Sequence, residues 1–175
     1  MSDLALRECR IEADEVRARL PQRIRRVPVF LPALCRVRHG LKRIWLGERE
    51  MSAGPAQLVL LPAGSELDIA NLPGPAGYLA DVVSLPPALL ARFCERHGSL
   101  LLRQRAGNEL CLDIGEPGHR AWQLLMDSLR GDTPPEMREH HAEGVLLALA
   151  LAGQAGPLLQ APAAPVAQRI RQLLM

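Results

Sequence analysis

Over residues 34–85 glycine and proline cut the chain into short pieces at intervals of about ten residues, and few folds tolerate that punctuation. LCRVRHG (34–40) and LKRIWLG (41–47) are strand-length segments, each closed by a glycine, and Gly47 with Glu48 offers a tight turn. QLVLLP (57–62) is a continuous apolar run bounded by turn residues, as in a strand buried on both faces. SELDIAN (65–71) alternates, with Leu67 and Ile69 on one face and Glu66 and Asp68 on the other. Residues 74–85 open on a Gly/Pro turn and supply one more strand. Five such strands predict a small antiparallel barrel or sandwich.

After Leu85 the period changes. Leu89, Leu90, Phe93 and His97 fall at helical spacing behind two prolines and before Gly98, which predicts a helix inserted near 87–97. Residues 99–115 suggest a brief return to strand. Trp122, Leu125, Met126 and Leu129 then form an i, i+3, i+4, i+7 stripe closed by Gly131. A further helix reads from Thr133 as N-cap, with Pro134 at the first helical position and Glu136 completing a capping box, and it ends at Gly153. Residues 154–165, rich in Gly, Ala and Pro, read as a linker. Residues 166–175 are amphipathic through Val166, Ile170, Leu173 and Leu174 and stop without a cap.

The bulk numbers exclude more than they assign. A chain of 175 residues forms one domain with a short attachment, and its 3% aromatic content leaves the core to Leu, Val, Ile and Ala. Net charge is +2, but residues 1–50 hold 12 basic and 7 acidic side chains. No aromatic residues interleave those arginines, so a solvated face fits better than a nucleic-acid surface. Cys9, Cys35, Cys94 and Cys111 are too widely spaced for a metal motif and read as reduced thiols of a cytoplasmic protein. The N-terminus carries acids and arginines every few residues, unlike a signal peptide, and the apolar run 145–152 is too short to span a bilayer.

One motif bears on chemistry. Metal-binding cupin barrels carry G-x5-P-x-G-x2-H-x3-N, and this chain resembles that pattern from Ala56 through Pro62 and Gly64 to Asn71. The histidine position is Leu67, which has no lone pair to give a metal. The companion H-x-H is reduced to a lone His39. Glu139, His140 and His141 lie on a helix with adjacent imidazoles about 100° apart, so they do not converge. No catalytic residue, metal ligand or cofactor is expected, and the rival reading as a stand-alone cupin enzyme has no ligand set behind it.

The order G-x-x-x-LVLLPAG-SELD, strand, PPALLARF, two helices and linker resembles the N-terminal regulatory domain of AraC/XylS-type bacterial transcriptional regulators. The resemblance runs from about Leu34 to Ala152, and 166–175 is similar to the first helix leading into that family's helix-turn-helix domain. It implies an α+β fold: a cupin-like antiparallel β-barrel of the double-stranded β-helix type, followed by helices. The segments are then an N-terminal arm or helix (1–33), the barrel (34–118), a helical dimerisation segment (119–153), the linker (154–165) and the start of a truncated DNA-binding domain (166–175). It also implies a homodimer that answers to a small-molecule effector, or to a regulatory protein as in type III secretion regulators, and that reaches DNA only through the absent domain. A barrel has room for one small ligand. Arg36, Arg38, Lys42, Trp45 and Tyr78 are the strand residues that could line its mouth, though an outward position suits each equally well. For pairing of subunits, Met137, His141, Gly144, Ala148 and Leu151 form one stripe that Leu146 and Leu149 widen; packing on the chain's own barrel would use the same stripe.

Overall fold

The computed structural model describes residues 9–160, and within them two antiparallel sheets lie face to face. The first has the order β1 (Glu12–Ala18), β8 (Tyr78–Ser84), β3 (Ala33–His39), β6 (Gln57–Leu61), β9 (Cys111–Asp113). The second runs β2 (Gln22–Pro28), β7 (Glu66–Leu72), β4 (Leu41–Leu46), β5 (Arg49–Ala53). The sheets form separate ladders, so the cupin-like barrel is an open, two-sheet version rather than a closed cylinder.

Alternation along each strand sorts the side chains. Lys42 pairs with Asn71 and Ala53, and Ile44 with Ile69 and Met51, so these residues share one face of the second sheet. All of them are buried there. From the first sheet Cys35, Val59 and Cys111 lie side by side across β3, β6 and β9 and face the same interior. Leu34, Leu58 and Leu60 point the other way, and each is fully buried beneath helices. The run QLVLLP is therefore covered on both sides, as its unbroken apolar character requires. Cys35 and Cys111 both lie opposite Val59 and so are two strand spacings apart, roughly 9.5 Å. That exceeds the span of a disulfide.

The helices are α1 (Pro87–Arg96), the single turn α2 (Gly98–Leu101), α3 (Gly115–Arg130), α4 (Pro135–Leu151) and the single turn α5 (Gly156–Leu159). Their apolar residues, including Phe93, Trp122, Leu125, Val145 and Leu149, join the sheets in one core. None of these helices is long and apolar enough to cross a membrane.

Four sequence expectations need correction. Residues 12–28, expected as part of an arm or helix, form the edge strands β1 and β2. Edge strands have one solvated side and carry charges that discourage further pairing, which dilutes their apolar alternation below recognition. Helix α3 begins at Gly115, four residues before the expected start at 119, because Pro117 and Gly118 sit in its first turn, where proline is tolerated. The capping box on Thr133 does not form. Pro134 precedes another proline and is held extended (ψ 147°), so it becomes the cap, without a side-chain bond, and the helix starts at Pro135. Finally, the described part of the linker is packed down. Ala155 and Leu158 are buried, and the Ala155 N–H donates to Gln104 Oε1 at 2.9 Å. Residues 161–165 of that linker and the amphipathic 166–175 lie outside the described residues.

The expected stop of α4 does form. Gly153 follows at φ 72°, its N–H bonds to Ala150 O at 3.0 Å, and the next N–H, of Gln154, reaches back to Leu149 O at 2.9 Å. This paired closure is the Schellman pattern that glycine permits.

Candidate functional site

The cupin-motif corner shapes the wall, with a leucine where the motif carries its histidine. Gly64 turns at φ 82°, and the Ser65 hydroxyl donates to Pro62 O at 2.6 Å, which brings β7 back across the molecule. Leu67, in the histidine position, is fully buried inside. Asn71, at the end of the same motif, lies on the same face of β7 four residues on, and there the interior becomes polar.

Lys42 is 4% exposed, and its ammonium donates to Asn71 Oδ1 at 2.8 Å and to the Tyr78 hydroxyl oxygen at 3.2 Å. The ammonium also lies 5.6 Å from the centre of the Tyr78 ring. No carboxylate contacts it among the described residues. Burial pushes the Lys42 pKa down from its ordinary value; the nearby thiols of Cys35 and Cys111 act in the opposite direction. Burial likewise raises the Cys35 thiol to about 11 and the Cys111 thiol to about 12, and pushes the Tyr78 phenol upward.

These shifts predict alkaline sensitivity. Cys35 holds its proton more tightly folded than unfolded, so its contribution is complete below its ordinary value of 9.0 and is lost as pH rises through about 11. Lys42 works in the opposite sense, because its folded pKa is depressed and stability grows with pH across its window. Urea unfolding of wild type and Cys35→Ala at several pH values isolates the thiol. The stability difference between them should fall by about 2 kcal/mol from pH 8 to pH 11. A difference independent of pH would contradict this assignment.

The five residues expected to line one mouth occupy three places. Lys42 and Tyr78 meet between the sheets. Arg36 and Arg38 lie instead on the outer side of β3, facing α3, in a cleft of about 290 Å³ shared with Asp81, Trp122, Met126 and Arg130. Trp45 is on the outer face of the second sheet, with the Arg23 guanidinium 4.9 Å over its ring. Sequence reasoning missed Asn71 as a partner, and missed Asp81 and Arg130 altogether. The in-register pairs Lys42–Asn71 and Arg36–Asp81 would have revealed two of the three once β4–β7 and β3–β8 were known to be neighbours.

On α4 the residues expected at a subunit contact divide in two. Leu146 and Leu149 turn into the domain's own core at 0% and 1% exposure, on the inward face of a helix that packs mainly against α3 and α1. Met137, His141, Gly144, Ala148 and Leu151 lie along the outer face, where Met137 and Leu151 are exposed. A Cβ added at Gly144 would meet nothing within 4 Å among the described residues, which leave that face open.

No protein-family model and no curated protein matches the sequence. Solved structures do match. A structure of ToxT from Vibrio cholerae aligns with a TM-score of 0.63 at 8% identity, over 94% of this chain and 64% of that one. ToxT bound to (E)-4-(8-methylnaphthalen-1-yl)but-3-enoic acid gives 0.64 at 8% identity with the same coverage. The AraC-like transcriptional activator CuxR gives 0.62 at 13% identity, over 94% of this chain and 59% of that one. The chain thus spans less than two thirds of the length of these proteins. Its fold is the cupin-like α+β fold that ToxT and CuxR share, the one implied by the order of strands and helices along the sequence.

Proposed function

We propose that this chain is the signal-receiving and dimerising domain of an AraC-type transcription regulator, whose DNA contacts are made by a helix-turn-helix domain. The observation that carries this reading is the likeness of 94% of the chain to ToxT and to CuxR, despite identities of 8% and 13%. Such a domain acts by shifting an equilibrium in how two DNA-binding domains are presented. The open stripe on α4 supports pairing: Gly144 and Ala148 let a second helix approach closely, and Met137 and Leu151 supply apolar contact. A regulatory protein seated on that stripe is the second reading, favoured by Leu151 at 68% exposure. Neither reading calls for catalysis.

The test joins the chain to the DNA-binding domain of an AraC-type regulator and measures affinity for an operator with two half-sites. Dimerisation should raise that affinity about a hundredfold over the DNA-binding domain alone, by effective concentration. Ala148→Glu should remove the gain and leave the circular dichroism spectrum unchanged. Equal affinity with and without the chain would refute the proposal. A dimer untouched by Ala148→Glu would move the contact off α4 and keep the class.

A further inference from the structure

Helix α1 presents three sides, and only two are accounted for. Leu89 and Phe93 point inward and are fully buried. One flank is tied to α4, where Arg92 lies 3.0 Å from Glu139 and Arg96 2.8 Å from Glu143. The other flank, with Leu90, Ala91 and Cys94 at positions i, i+1 and i+4, walls a groove of about 470 Å³. Its far side is built from the cupin-motif corner at Pro62 and from Leu158 and Leu159 of α5. No charged or aromatic side chain lines it among the described residues. An apolar concavity of this kind calls for an apolar cover.

The course of the chain points to the occupant. The stretch expected as linker is packed down as far as Gln160, which lines the groove itself, and the Leu159 carbonyl lies 4.0 Å from Cys94 Sγ. Residues 161–165, all alanine and proline, come next. Five such residues, extended, reach roughly 15 Å. Val166, Ile170, Leu173 and Leu174 then recur at helical spacing, with Arg169 and Arg171 flanking that stripe on either side. Charge agrees with this order. Glu95, the only acid on α1, is exposed one turn on from Ala91 and makes no ion pair or hydrogen bond among the described residues. It offers one of those arginines an opposite charge.

We propose that this groove is the docking site of residues 166–175 of the same chain, which lay the Val166, Ile170 and Leu173/Leu174 stripe against Leu90, Ala91 and Leu159. An aliphatic groove suits an aliphatic helix face, whereas proline-rich segments dock on aromatic rings, so 161–165 acts as the tether rather than the ligand. A tether this short holds the segment at an effective concentration of about a millimolar. A contact too weak to capture a free peptide is then strong enough. Docking of this kind fixes the direction in which the chain leaves the domain. It stands or falls apart from any role in transcription.

Cys94 is a built-in probe, half-buried in the groove wall while Cys35 and Cys111 are buried in the core. The test uses the full chain carrying Cys9→Ser and follows alkylation of Cys94 by N-ethylmaleimide through the mass of its peptide. Ile170→Glu/Leu173→Glu should speed that reaction at least about tenfold, because the cover is lost. Gln172→Glu, on the side away from the stripe, should leave the rate unchanged. Protection should survive about a hundredfold dilution, since the tether and not the protein concentration sets it. Proximity is read independently: on mild oxidation Ile170→Cys or Leu174→Cys should bridge to Cys94, and Gln172→Cys should not. The proposal is overturned by equal alkylation rates in the parent and the double variant, or by the same acceleration in Gln172→Glu. It is overturned as well by protection that vanishes on dilution, which would make the occupant a second copy. If the double variant also lowers the urea midpoint of the domain, the disulfide decides. Bridging from neither Ile170→Cys nor Leu174→Cys, or equal bridging from Gln172→Cys, then overturns it.

Discussion

Gly40→Ala is expected to lower stability by about 4 kcal/mol and the melting temperature by about 10 °C. Gly40 joins β3 to β4 at φ 86°, a conformation that strains any residue with a Cβ. An added Cβ would lie 2.5 Å from Leu72 O, 3.1 Å from the Tyr78 ring and 3.2 Å from Gly77 O. Two of those neighbours are backbone atoms, at the end of β7 and in the turn before β8, and cannot rotate away. Relief must move the start of β4, and with it Lys42, or push Tyr78 off the ammonium it caps. Gly47→Ala is the internal control. Its φ is 61°, but nothing lies within 4 Å of the added Cβ, so it should lose only about 1 kcal/mol of conformational strain. Urea unfolding of the two variants checks the pair, and equal losses would remove the crowding argument.

Asn71→Leu should be nearly as damaging, at about 3 kcal/mol, for an electrostatic reason. Asn71 supplies the carbonyl oxygen closest to a buried ammonium that no carboxylate contacts among the described residues. Removing that acceptor leaves the charge with the Tyr78 hydroxyl alone. Breaking one partner from a buried charge costs more than the intact interaction contributes, whereas replacing the group wholesale by apolar side chains of similar volume is often neutral. The double variant Lys42→Met/Asn71→Leu should therefore recover to within about 1 kcal/mol of wild type, about 2 kcal/mol more stable than Asn71→Leu alone. Raising the pH should also rescue the single variant, because Lys42 then sheds its proton. Additive losses in the two single variants would mean that the asparagine does not support the lysine.

Much of the architecture was legible in the residues because local rules fix it. The glycines at 40 and 47 closed two strands where they were expected to, and the unbroken apolar run of β6 announced burial on both faces. The stripe of Trp122, Leu125 and Met126 marked α3, and Gly153 marked the end of α4. The edge strands β1 and β2 were not legible, since a strand with one solvated and charged side has no strong period. The capping box failed because the steric demand of consecutive prolines outranked the side-chain bond of Thr133. The candidate sites were read least well. Arg36, Lys42 and Trp45 looked alike as polar or aromatic residues on strands, yet they stand on the outer side of one sheet, between the sheets, and on the outer side of the other.

The sequence by itself determined that short antiparallel strands are followed by helices and that the cupin corner holds a leucine where a metal ligand would sit, because turn chemistry and the absence of a lone pair are properties of single residues. Only the tertiary structure decided that Lys42 meets Asn71 and Tyr78, that Arg36, Arg38 and Arg130 gather around Asp81, and that the Gly144 face of α4 is left open. The strand placements depend on which strands are neighbours and in what register, and a shift of one residue would have sent Arg36, Lys42, Asn71, Tyr78 and Asp81 to the opposite face; the placements of Arg130 and Gly144 depend on how their helices pack on the sheets.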